Sequence, residues 1–137
     1  MSTESRMPRL SQRLNERSRE ALEKHFAEEG LVETRLSELS VNGQSALERL
    51  VEVANRDTGQ SRHCRRLLLA VYNSDEWPFE LNRLRCLDRS LQRDAFMVIE
   101  WSTYTGRELH EHLDDGDRLM QRYWKIESGV DDRGEQP

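Results

Sequence analysis

Apolar residues recur at helical spacing along most of this chain, and strict period-two alternation fades within four residues except in the run from Phe96 to Trp101. Residues 1–8, ending in Pro8, read as a disordered lead. From Leu10 to Glu29 a thin stripe of Leu10, Leu14, Ala21, Leu22 and Phe26 lies among charged residues, and Gly30 offers a C-terminal stop. A second piece is expected over Leu31–Leu39, ended by the turn signal Asn42-Gly43. Ser45 and Glu48 then stand three apart, the spacing of a capping box, and Leu47, Leu50, Val51 and Ala54 follow on one face. Thr58-Gly59 breaks that pattern. The next helix is expected from about Gln60, with Cys64, Leu67, Leu68 and Val71 inward and Arg62, Arg65 and Arg66 largely outward.

Downstream, Pro78 makes Asp75–Phe79 a turn, and a short helical turn is expected over Glu80–Arg85. Asp88 is the expected N-cap for the longest helix, Arg89–Tyr104. Its second half, with Phe96, Met97, Val98, Ile99 and Trp101, is apolar on nearly every side, which predicts a central, most buried element. Another turn is expected at Leu109–Leu113, then a last amphipathic helix using Leu119, Met120, Tyr123 and Ile126. The expectation is an all-α, compact helical bundle of five to seven helices. Its organisation is a lead over 1–8, an N-terminal helical segment over 9–43, a core domain over 44–127 and a disordered acidic tail over 128–137. The thin stripe of residues 10–26 is too narrow to hold a helix alone; it docks on the core, closes a homodimer or frays.

Composition sharpens this picture. At 137 residues the chain has the size of one domain, and charged residues make up 34% of it. The net charge of −5 conceals an asymmetry: eight arginines against five acids from Arg56 to Arg93, then nine acids against five basic residues from Arg107 onward. Nineteen of 21 basic residues are arginine, the side chain suited to planar, bidentate contact with carboxylate or phosphate. Cys64 and Cys86 sit in apolar-periodic contexts without a CxxC spacing, so both are expected to be buried free thiols. The start lacks the apolar stretch of a signal peptide, and no apolar run approaches the ~20 residues that span a bilayer. A cytoplasmic protein is expected.

The candidate chemistry is sparse. His110-Glu-His112 with Asp114 and Asp115 gathers metal-ligand types, but helical residues two apart point about 200° from one another. Asp114-Asp-Gly-Asp lacks a glutamate at the calcium-loop offset. His25 and His63 have no nucleophile motif beside them, and no glycine-rich phosphate loop occurs. The expectation is therefore a non-enzymatic protein without cofactor or metal. The remaining candidates are interface residues. Arg62, Arg65 and Arg66 cluster at a helix start, where the helix dipole adds to their positive potential. Arg85, Arg89 and Arg93 align if one helix spans them. Trp77 and Phe79 are either a lid over the core or exposed anchors.

The runs Ala46–Arg62 (ALERLVEVANRDTGQSR) and Leu67–Asn73 (LLLAVYN), with weaker echoes at Phe79–Leu81 and Leu87–Arg89, resemble a family of short bacterial proteins of unknown function carried on plasmids and integrative conjugative elements. The resemblance covers about residues 46–104 and implies a mobile-element setting, with no catalytic residue. Together with the bare site inventory, it leads to the expectation of a protein-binding accessory factor whose partner is a host or element-encoded protein. Counter-defence factors, including inhibitors of CRISPR systems, are the specific form expected in that setting. The alternative is a nucleic-acid-binding accessory or regulatory protein using the arginine-rich surface.

Overall fold

In the computed structural model the described residues are helical or turn, without strands: α1 (Ser2–Ala54), α2 (Gly59–Tyr72), α3 (Arg89–Tyr104) and α4 (Gly116–Glu135), with 3-10 turns at Leu81–Cys86 and Leu109–His112. Side chains are described for residues 9–129. The lead expected over 1–8 lies outside those residues, as does the tail expected over 128–137 beyond Gly129. The chain divides into two compact units, Met1–Ser37 and Glu38–Pro137.

In the first unit α1 presents its apolar residues to solvent. Leu10, Leu14, Leu22 and Phe26 are all more than half exposed, as are Leu31 and Val32. Gly30 does not stop the helix. A mid-helix glycine costs only about 1 kcal/mol, and here Thr34 Oγ1 donates to the Gly30 carbonyl from the next turn (2.9 Å).

The second unit holds the core. α1 continues through Asn42-Gly43, so the expected turn is absent and Ser45 lies within a helix instead of capping one. Packing explains the glycine. A Cβ at Gly43 would sit 2.5 Å from Trp101 Cδ2, so the missing side chain lets the indole of α3 lie on the backbone of α1. The Gln44 side chain is also taken up in packing, donating to the His112 carbonyl (2.8 Å). The capping box occurs one helix later. Ser61 N–H donates to Thr58 Oγ1 (3.1 Å) while Thr58 N–H donates to Ser61 Oγ (3.0 Å), starting α2.

α2 is the element on which the others converge, touching α3, α4 and both 3-10 turns. Its Cys64, Leu67, Leu68 and Leu69 are almost fully buried. α3 has the expected bounds and its Asp88 cap, which accepts from Leu91 N–H (2.9 Å), but at 16 residues it is shorter than α1 (53) and α4 (20) and so is not the longest helix. Its burial is one-sided, however: Leu91, Ala95, Val98 and Trp101 face inward, while Phe96 is 59% exposed. On α4 the inward positions are Met120, Tyr123 and Glu127, whereas Ile126 faces out. Asp115 takes the left-handed region (φ 54°), and Gly116 then lets the start of α4 close against the His110 carbonyl. Cys64 is buried, which pushes its thiol up to about 12, but Cys86 is exposed.

The two glycines of α1 should therefore respond oppositely to alanine. Gly43→Ala drives a methyl into Trp101 and is expected to lower stability in urea titration by about 1–3 kcal/mol. Gly30→Ala enters open space and is expected to stabilise its own stretch of helix by roughly 0.5–1 kcal/mol, read as slower amide exchange over residues 26–34.

Candidate interaction surface

Eight side chains were candidates from sequence, and the fold separates them into two groups. The first group is internal. Arg62, Arg65 and Arg66 turn toward one carboxylate, Glu127 of α4, which is fully buried. Arg65 Nε donates to Glu127 Oε2 and Arg66 Nε to Oε1, each at 2.8 Å, and Arg62 Nε lies 3.5 Å from Oε1. Arg65 is itself buried, so the expectation that all three would lie outward fails for it. Arg65 shares a face with the buried Ser61 and Leu68, at helical offsets of four and three, and the fold has to satisfy a cation there. Its Nη1 does so by donating to the carbonyls of Ala54 (2.8 Å) and Arg56 (3.0 Å), the free acceptors at the end of α1.

The aromatic turn belongs to the same cluster. Trp77 is buried, its ring 4.8 Å from the Arg66 guanidinium and edge-on to Trp124 at 5.5 Å. Trp77 thus acts as a cover over the ion cluster, and Phe79 is half-buried. Nearby, Arg83 Nη1 donates to His63 Nδ1 (3.1 Å), since a guanidinium has no acceptor, and this leaves the imidazole proton on Nε2. Burial first, then the charges of Arg83 and Arg62, hold His63 below the ordinary histidine value. His112 is also lowered, by burial and then by Arg107; its ring stacks on Trp101 at 4.3 Å. His110 packs edge-on to Tyr72 instead, so the two histidines serve different aromatic contacts.

An open cleft of about 310 Å³ between the end of α1 and the start of α3 is lined by Arg49, Glu52, Arg56, Gln60, Asp88 and Asp94, among others. Its charges are matched within the fold. Arg49 grips the buried Asp94 with two bonds of 2.8 and 2.9 Å, and Arg56 pairs with Glu52 (2.8 Å). Gln60 Oε1 accepts from Asp88 N–H (2.6 Å). These contacts join α1 and α2 to the start of α3.

The second group is external. Arg85, Arg89 and Arg93 are exposed, but no single helix carries all three: Arg85 belongs to the 3-10 turn and the chain is extended at Leu87. Arg89 and Arg93 instead begin the outward face of α3, which continues at helical spacing through Phe96, Glu100, Thr103 and Tyr104. Phe96 and Tyr104 are each 59% exposed. The burial expected on nearly every side of this half of the helix therefore fails at both aromatics. Their offset from the inward set of Leu91, Ala95 and Val98 was the available signal, masked by the density of apolar residues around them. Glu127 was also missed; its signal was a carboxylate in register with Met120 and Tyr123.

Removing the buried carboxylate leaves guanidinium charge without its partner, so Glu127→Ala is expected to cost roughly 3–5 kcal/mol in urea unfolding. Arg65→Ala should cost more than Arg66→Ala because it also uncaps α1, and Arg62→Ala, at a more exposed and more distant cation, should cost least. Acid adds a separate test. The folded values of His63 and His112 lie below the unfolded value of 6.5, so the unfolded chain binds more protons as pH falls through about 6.5. Stability is expected to decline from pH 7.5 to 5, and His63→Gln with His112→Gln should flatten that slope in thermal melts.

No curated protein and no solved structure matches the chain. Residues 44–127 match a family of unknown function, DUF7673, spanning the last turns of α1 through Glu127 and thus both sides of the ion cluster. The chain belongs to that family.

Proposed function

We propose that this protein is a non-enzymatic, protein-binding accessory factor of a bacterial mobile element, acting in the cytoplasm, with the outward face of α3 as its docking surface. One observation carries the reading: two large aromatics, Phe96 and Tyr104, stand exposed in line with Arg89 and Arg93 on a helix anchored by its opposite face. Aromatic and arginine side chains are the types that supply most binding energy at protein interfaces. A helix fixed by Leu91, Ala95 and Val98 loses little freedom on docking. The partner that fits is a host or element-encoded protein offering an apolar groove rimmed with carboxylates. The mobile-element setting rests on the resemblance of the Ala46–Arg62 and Leu67–Asn73 runs. Inhibition of a CRISPR system is the specific form that setting suggests.

Nucleic acid is the second reading, favoured by the exposed Arg85, Arg89 and Arg93. Arg65 and Arg66 do not contribute to it, because both are engaged with Glu127.

Affinity capture from bacterial lysate, compared between the native chain and a Phe96→Ala/Arg93→Glu variant, tests the proposal. A stoichiometric protein retained by the native chain and lost by roughly tenfold or more in the equally folded variant is the expected result. No stoichiometric partner, or one held equally by both, overturns it. A salt-steep shift of DNA or RNA that Arg89→Ala and Arg93→Ala abolish would favour the second reading.

A further inference from the structure

The first unit of α1 carries an exposed apolar face and a lengthwise division of charge. Leu10, Leu14 and Val32 lie on one side of the helix within about 40° of one another, with Ala21 between them and Leu22 at the margin. Over residues 9–19 there are four arginines against one glutamate; over 20–33 there are five glutamates against one lysine. Arg9, Arg13 and Arg17 are all exposed, as are Glu28, Glu29 and Glu33. Within one helix this arrangement does little for stability, since Arg9, Arg13 and Arg17 repeat at intervals of four and repel. It is self-complementary only when the helix meets a reversed copy of itself.

We propose that residues 9–33 pair with the same segment of a second copy of this chain, antiparallel, with the twofold axis near Ala21. In that orientation the basic half of each helix lies along the acidic half of the other. Leu10 and Leu14 approach the Val32 end of the partner helix, and the small side chain of Ala21 lets the two backbones come close where they cross. A parallel pair would set arginine against arginine at one end and glutamate against glutamate at the other. Two copies therefore cover the apolar face and choose the direction of pairing by the same residues.

Sedimentation equilibrium and light scattering of the full chain at low salt test this. The native chain is expected to give twice the monomer mass. Arg13→Glu/Arg17→Glu is expected to weaken self-association by roughly tenfold, the cost of replacing several exposed attractions by repulsions. Adding Glu28→Arg/Glu29→Arg to that variant should restore it. All four positions are exposed, so circular dichroism should confirm that each variant keeps the native fold. A native chain that remains monomeric overturns the proposal, as does a charge-reversed variant that dimerises equally or more tightly, the mark of a parallel pair. Failure of the fourfold variant to recover dimerisation also overturns it.

Discussion

A buried glutamate holds the core of this protein in its present arrangement. A carboxylate taken fully out of water is strongly unfavourable unless cations and donors replace the lost solvation. Glu127 receives Arg65 and Arg66 at 2.8 Å and Arg62 at 3.5 Å. Three guanidinium groups around one carboxylate would leave excess positive charge in the interior. The excess is met at its edges: Arg65 also faces the carbonyls that end α1, the negative pole of that helix, and Arg66 lies over the electron-rich face of Trp77. The cluster consequently ties α1, α2, α4 and the aromatic turn to one point. An apolar core of this size can tolerate repacking, whereas these donors and acceptors admit few alternative partners. The ion cluster therefore specifies which helix ends meet, and the leucines of α2 supply the burial around it.

That structural role changes the meaning of the arginine-rich middle of the sequence. A run of basic residues at a helix start suggested an outward surface, but Arg65 is turned inward and Arg66 is covered by an indole. The opposite happened on α3, where burial was expected on nearly every side and Phe96 and Tyr104 lie outside. Both reversals have one physical origin. Helical register, fixed by the residues that bury most area, decides which side chains face in, and the chemical type of the remaining residues has to follow. Arg65 is carried inward with Ser61 and Leu68, while Phe96 is carried outward by Ala95 and Val98. Exposed arginine and aromatic side chains thus share the outward face of α3, whereas in the charged run of α2 Arg65 is buried, Arg66 is covered and Arg62 stays partly exposed.

Local chemistry was legible wherever it acted locally. Asp88 as a cap, the turn made by Pro78, the bounds of α3 and the short helical turns near Leu81 and Leu109 all follow from interactions within a few residues. Apart from Gly30, which the helix passes through with only the local bond from Thr34, several errors involve contacts between residues far apart in the chain or the register of a helix. Asn42-Gly43 has turn chemistry, and only the arrival of Trp101 shows why a glycine stands inside a helix there. Ser45 and Glu48 have capping-box spacing but no helix start to cap, whereas Thr58 and Ser61 have both. Glu127 is an ordinary surface residue by type; its burial depends on two arginines more than sixty positions earlier. On the outward face of α3, the exposure of Arg89 and Arg93 was legible from their spacing of four on one helix. That of Phe96 was not, because an apolar run does not disclose which of its members lies on the outer side.

The same distinction between local and distant partners bears on the two units. From residue 38 onward, three polar side chains on inward faces find partners within the chain: Arg65 with Glu127, Asp94 with Arg49, Tyr123 Oη with Asn55 (2.7 Å), whereas Trp77 Nε1 and His110 Nδ1 are buried without a hydrogen-bond partner. Each of the three is a group whose burial would be costly if unmatched, and each match lies on a different element. Before residue 38 the exceptions are apolar residues left in water, and the charges divide along the helix into a basic and an acidic stretch, with His25 and Glu29 paired one turn apart (3.0 Å). The second unit thus buries its large apolar side chains around matched charges, while Leu10, Leu14 and Phe26 stand exposed on one stretch of helix in the first. Pairing with a second copy, as proposed above, would bury that face, and the sorted charge would give the pairing its direction.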